Sequence, residues 1–280
     1  VRACSVPDFS DMKALLKNHE EYTKKGGVFA PVVGVIRIAG PDAQDFLNRL
    51  SSQDFKHLAD RSWIKAALLT PRATIIGLGD VYRDGLNYWW VCEPDHTEPL
   101  VQEFNKLHFS ENLTVTDETQ TWGIIEYWPG SKVEPPKLEL IEKWKILDFF
   151  VTHFKVTHVL RELLRLETGL PTWGTDVTEK NLILEGPFEE YVSRTKGCYP
   201  GQEVVEKIHT YGNVTKKLVA LRISYPDSMD PAGDKILWAE KNGEVIEVGH
   251  LTQVHQAPWS LRLLIHAWVK KPFFEKGQKV

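Results

Sequence analysis

Strand-length runs of β-branched and aromatic residues recur along this chain, but helical stretches interrupt them in no regular order, and that irregularity limits the fold most. Residues 11–25 read as a polar lead-in helix, and 32–38 as a strand stopped by Gly40-Pro41. A helix over 42–50 follows, with Phe46, Leu47 and Leu50 on one side. Strands are expected at 64–70, 74–82 and 87–92, the last carrying Tyr88, Trp89 and Trp90, then a helix at 98–107 and a strand at 112–117. Regular βαβ alternation would imply a parallel sheet; this order predicts an α+β fold with mixed or antiparallel sheets.

The 280 residues exceed what one core usually organises, so two or three packed lobes are expected. Residues 129–137 (PGSKVEPPK) carry three prolines and few apolar groups, which suits a connection between lobes at about 26–128 and 138–212. The second lobe holds an amphipathic helix at 157–168 and another after Gly201. From 213 to 280 short strands at 217–223, 235–240, 244–249 and 261–269 predict a small C-terminal β-barrel.

Charge and cysteine usage narrow the setting. A net charge of −4 argues against direct nucleic-acid binding over a broad surface. No run of about 18 apolar residues is present, which argues against a membrane span. Cys4, Cys92 and Cys198 are far apart with no CxxC pair, as in a reducing compartment. The N-terminal residues lack a signal peptide's pattern, so cytoplasm is the expectation, or an organelle matrix in a eukaryote. The ten histidines show no metal-ligand spacing, and isolated cysteines cannot hold a four-cysteine cluster, so no metal site is expected.

The stretch Lys196-Gly197-Cys198-Tyr199-Pro200-Gly201-Gln202-Glu203 is the richest in chemistry. Two glycines and a proline make a tight turn, and 202–210 then has helical spacing, with Val204, Val205 and Ile208 on its inner side. Cys198 thus falls just ahead of a helix N-terminus, whose partial positive charge favours a reactive thiolate, and Lys196 adds to that bias. The alternative is a small buried cysteine in a structural turn.

K-G-C-Y-x-G-Q-E resembles the signature octapeptide of the YgfZ family, folate-binding proteins of the glycine-cleavage T-protein (aminomethyltransferase) superfamily associated with iron–sulfur protein maturation. The similarity continues through His209-Thr210-Tyr211-Gly212 and the 216–221 segment. Upstream, Arg165-Leu166-Glu167-Thr168-Gly169, with Gly174 and Asp176, is similar to the superfamily's R-L-E-x-G segment. Residues 38–43 and Leu68-Leu69-Thr70-Pro71-Arg72 are similar to two further segments. Three departures stand out: Ala73 where the family usually has glycine, Gln53-Asp54 for an N-D pair, and Leu182-Ile183-Leu184-Glu185 for L-P-Q-E.

The resemblance implies T-protein-like folate-binding lobes, tetrahydrofolate or another reduced folate as ligand, and iron–sulfur client or assembly proteins as partners. It implies Cys198 and Lys196 as the working residues. Folate contacts are implied at Arg161, at Val33 and at the segment holding Arg165 and Glu167, with Trp173 a pocket wall and Tyr199 beside the thiol. Arg161 and Arg165 share a helix face at i, i+4 and repel; an anionic ligand would relieve that, or Glu162 could pair with Arg165. Glu167 is expected to take the pterin edge or to cap local backbone. The superfamily's transferases carry an acidic pair where this chain has Gly77 and Leu78, which argues against aminomethyl transfer. Asp80, two residues on, returns to the Leu78 face. The rivals are a true folate-dependent aminomethyltransferase using Asp80, and a docking module without chemistry.

Overall fold

A computed structural model describes residues 9–130, 133–212, 214–224, 236–241, 244–260 and 262–274. The chain opens with α1 (Phe9–Lys25), β1 (Gly27–Phe29), β2 (Gly34–Ala39) and α2 (Ala43–Leu50), then β3 (Trp63–Leu69), β4 (Ile75–Asp84) and β5 (Asn87–Cys92). Next come α3 (Thr97–Leu107), β6 (Thr114–Asp117), β7 (Trp122–Trp128), β8 (Lys137–Glu142), α4 (Ile146–Thr152) and α5 (His158–Thr168). After a long irregular stretch follow α6 (Gln202–Tyr211), β9 (Lys216–Ser224), β10 (Ile236–Lys241), β11 (Glu244–Ala257) and β12 (Arg262–Lys270).

The strands form three antiparallel sheets, ordered β3-β4-β5-β2-β6, β1-β7-β8 and β10-β11-β12-β9. The α+β expectation holds. β7 and β8 are neighbours, so the proline-bearing connection between them stays within one sheet.

Packing on the first sheet decides which face of β4 is free. Phe46, Leu47 and Leu50 of α2 are buried with Phe104 and Leu100 of α3 against Ile36, Ile38 and Trp90. Each such side chain contributes roughly 1.5–3 kcal/mol by leaving water. Gly77 and Gly79 belong to that crowded face. A Cβ on Gly77 would meet Leu100 at 2.4 Å, and one on Gly79 would meet the Trp90 indole at 2.1 Å. By strand alternation Leu78 and Asp80 point the other way.

α5 forms as its pattern dictates. Thr157 caps it by accepting from the Leu160 amide at 3.3 Å, and Gly169 ends it at φ +76°. It buries Leu160, Leu163, Leu164 and Leu166 on one side and presents Arg161, Glu162 and Arg165 elsewhere. The third sheet is tied to the α5 region through Asp176. Its carboxylate accepts from Thr252, from Gln253 Nε2 (2.5 Å) and from His266 Nδ1 (3.1 Å), while Trp268 donates to its carbonyl at 2.8 Å. Burial works to raise the Asp176 carboxyl, but His266 and Thr252 outweigh it and hold it below its ordinary range.

Candidate ligand cavity and thiol turn

The free face of β4 looks into a cavity of about 1250 Å³. Its walls are Leu78 and Asp80, the 31–33 loop after β1, Glu126 of β7, the polar face of α5, and the segments around Trp173 and Tyr191. Val33, Arg161, Arg165 and Trp173 all lie in this lining, where the resemblance puts folate contacts. Trp173 stacks on His96 with ring centroids 4.6 Å apart, so one aromatic face is already covered.

The two arginines are not waiting for an anion. Arg161 grips Glu126 with two bonds, Nε to Oε2 at 3.1 Å and Nη2 to Oε1 at 2.7 Å, and reaches Glu162 at 2.7 Å. Arg165 donates to Glu162 (3.0 Å), to the Leu170 carbonyl (2.5 Å) and to Gln253 (2.7 Å). Glu162 thus sits between them and removes the repulsion that a ligand was expected to relieve. Burial works to raise the Glu162 carboxyl, yet Arg165 and Arg161 hold it below its usual range.

Asp80 does reach the cavity on the Leu78 face, and Lys65 meets it at 3.3 Å. Burial alone would lower the Lys65 ammonium, but Asp80 raises it well above the usual lysine range. Asp80 is thus already engaged by a cation at the cavity wall.

Glu167 falls outside this lining. It lies two residues past Arg165, about 200° round the helix, and lines a smaller cavity of about 240 Å³ with His19, Tyr22 and Trp259.

The octapeptide turn is built against the first lobe. Gly201 sits at φ +85°, and a Cβ there would meet the Thr70 carbonyl at 2.7 Å and Ala73 Cα at 3.0 Å. Glycine is required twice over, by conformation and by the close approach of the β3–β4 turn. Cys198 is exposed, three residues ahead of Gly201, whereas Cys92 is buried and pushed up to about 12 by desolvation. Cys4 lies outside the described residues.

The Lys196 ammonium is engaged by α2. Lys196 is 7% exposed, and its ammonium donates to the carbonyls of Asn48 (2.5 Å), Ser51 (2.6 Å) and Gln53 (3.1 Å) at the C-terminal end of α2. An ammonium has three protons, and these bonds use all three. Burial pulls it down to about 8, with Asp54 opposing. Tyr199 is likewise turned inward, 6% exposed among Val205, Leu218 and Trp268, and does not line the cavity. On α6, Val205 is fully buried while Val204 and Ile208 are half-buried.

Sequence reasoning missed Glu126, which is 5% exposed and also accepts from the Trp128 indole at 2.9 Å. A signal existed: one charged residue inside the apolar strand WGIIEYW must be paired if it is buried. Among the described residues no group of three His, Cys, Asp or Glu side chains is placed to hold a metal, and no helix is long and apolar enough to cross a membrane.

No family model matches the chain. It is 24% identical over 236 residues to a mitochondrial iron–sulfur cluster assembly factor homologue of Mycosarcoma maydis, covering 72% of this chain and 58% of that protein. It is 21% identical over 238 residues to a putative chloroplastic transferase of Arabidopsis thaliana, covering 69% and 55%. A 118-residue stretch, 42% of the chain, is 30% identical to 13% of the mitochondrial dimethylglycine dehydrogenase of Mus musculus. The chain therefore spans little more than half the length of the first two relatives. In structure it matches the glycine cleavage system aminomethyltransferase T from Bartonella henselae with a TM-score of 0.75 at 17% identity, over 92% of this chain and 82% of that one. The chain thus has the fold of the glycine cleavage system aminomethyltransferase T, and in sequence it is similar to an iron–sulfur cluster assembly factor homologue.

Proposed function

We propose that the chain binds a reduced folate, tetrahydrofolate by class, in the large cavity and assists the assembly or repair of iron–sulfur enzymes, with Cys198 as its working thiol. The observation that carries this reading is the pairing of a ligand-sized cavity with an exposed cysteine on a turn braced at both ends. The residues present suit such a ligand. Leu78, Val33 and Trp173 offer apolar and aromatic wall for a flat ring, and carboxylates offer acceptors for its N–H groups. A bound reduced folate supplies one-carbon carriage; the chain's own residues bind it and screen it from water.

Aminomethyl transfer is the weaker reading. The carboxylate that such a reaction needs is replaced by Leu78, and Asp80 is occupied by Lys65. The similarity to the Mycosarcoma maydis iron–sulfur assembly factor homologue supports an iron–sulfur role here, and the mitochondrial and chloroplastic relatives favour an organelle matrix over cytoplasm. Calorimetry with tetrahydrofolate tests the binding half, with affinity in the micromolar range expected. An assay with a glycine-cleavage intermediate tests the other half: measurable turnover would replace this reading with the transferase.

A further inference from the structure

We propose that Glu93 is the carboxylate that reads the ligand in the large cavity, by accepting a paired N–H edge of the amidine type such as a 2-amino-4-oxopyrimidine ring presents. The assignment rests on that cavity being the ligand site.

Accounting for charge inside the cavity leads to this residue. Glu126 and Glu162 are committed to Arg161 and Arg165, and Asp80 is committed to Lys65. Two further lining carboxylates, those of Glu93 and Glu190, accept no hydrogen bond from a described residue, and Glu93 is the one on the turn that carries His96 against Trp173. Its side chain is open to the cavity's solvent but hemmed in by protein, and burial pushes its carboxyl up even though Arg161 and Arg165 pull it down. A carboxylate crowded by protein but without donors of its own is free to accept from a ligand that brings two N–H groups.

The backbone fixes where this carboxylate stands. Glu93 directly follows β5, whose last residue Cys92 pairs with Gly34 of β2, and Pro94 begins a short helical turn immediately after it. His96 of that same turn stacks on Trp173. One rigid turn therefore brings the free acceptor and an aromatic wall to the same side of the cavity. An anionic group is less favoured here, because Arg161 is already charge-paired with Glu126 and Glu162, and Arg165 with Glu162.

Calorimetry with two probes decides the matter: tetrahydrofolate, and its analogue carrying a methyl in place of the 2-amino group. Wild type, Glu93→Gln, Glu93→Asp and Glu103→Gln are compared; Glu103, on α3 and paired with Lys106, is outside the cavity lining. Loss of a charge-assisted pair of bonds weakens tetrahydrofolate binding roughly 10- to 100-fold in Glu93→Gln. Glu93→Asp, which keeps the charge but withdraws it by one methylene, also binds more weakly, and Glu103→Gln binds as wild type does. The analogue binds wild type as poorly as tetrahydrofolate binds Glu93→Gln, and loses little more in that variant. Glu93→Gln melts no lower than wild type, so the loss is not unfolding. Unchanged tetrahydrofolate affinity in Glu93→Gln, or continued discrimination of the analogue by that variant, overturns this assignment alone. No binding of tetrahydrofolate to wild type overturns the folate reading and this assignment with it.

Discussion

The cavity and the octapeptide turn handle buried charge in opposite ways. In the cavity, Arg161, Arg165 and Lys65 are each met by a carboxylate. In the turn, the Lys196 ammonium donates to three backbone carbonyls, while Cys198, the proposed working thiol, is exposed. Ion pairs set the walls of a site that encloses something; a carbonyl-bound lysine anchors a loop that presents something. On the proposed reading, the motif's lysine and cysteine, two residues apart, have separate duties: one anchors the loop and the other is presented by it.

The largest expected effect follows from breaking one side of that contrast. Glu126→Ala leaves Arg161 buried without its bidentate partner, and stability falls by about 3–5 kcal/mol. Lys196→Met removes the charge together with its bonds, leaving three carbonyls to find water, and costs about 1–3 kcal/mol. Denaturant melts of both rank them; a larger loss in Lys196→Met would reverse the comparison.

Cys198→Ser sharpens the contrast from the functional side. Because Cys198 is exposed, the melt should shift by no more than about 1 kcal/mol while rescue of iron–sulfur enzyme activity in a deletion strain is lost. At neutral pH Cys198 should alkylate far faster than Cys92, whose thiol is buried and pushed up to about 12. Equal rates would return Cys198 to a structural role.

How much of this was legible in the sequence differs by region. α5 was readable because its Thr157 cap, its Gly169 stop and its leucine spacing all agree. β4 was readable in its alternation, which put Leu78 and Asp80 on one face. Where the Lys196 side chain turns was not readable, since a four-carbon stem reaches either way and only the fold brings the end of α2 beneath it. Glu167 was grouped with Arg165 by motif, although helix geometry alone sets them on different faces. β8 and α4 escaped notice because 137–152 mixes charges with aromatics and has no clean period.

A smaller effect concerns Glu93. Its folded carboxyl is raised, so the folded state holds that proton more tightly than the unfolded chain does. Its favourable contribution is present below the ordinary carboxyl range and is lost as pH rises through the raised value. Glu93→Gln should therefore melt slightly higher than wild type at neutral pH, with the gain vanishing toward about pH 4. A gain that persists in acid would point to another cause. Smallest is Ala73→Gly: Ala73 holds φ +60° where the family usually has glycine, and relieving it should add up to about 1 kcal/mol in a melt.

The division of labour between cavity and turn is tested most directly by the tetrahydrofolate affinity of Cys198→Ser, measured by calorimetry beside wild type. Cys198 is not in the cavity lining. The account predicts micromolar binding in both, equal within roughly twofold. A loss of roughly tenfold or more would place the sulfur in the ligand site and contradict the separation of binding from thiol chemistry.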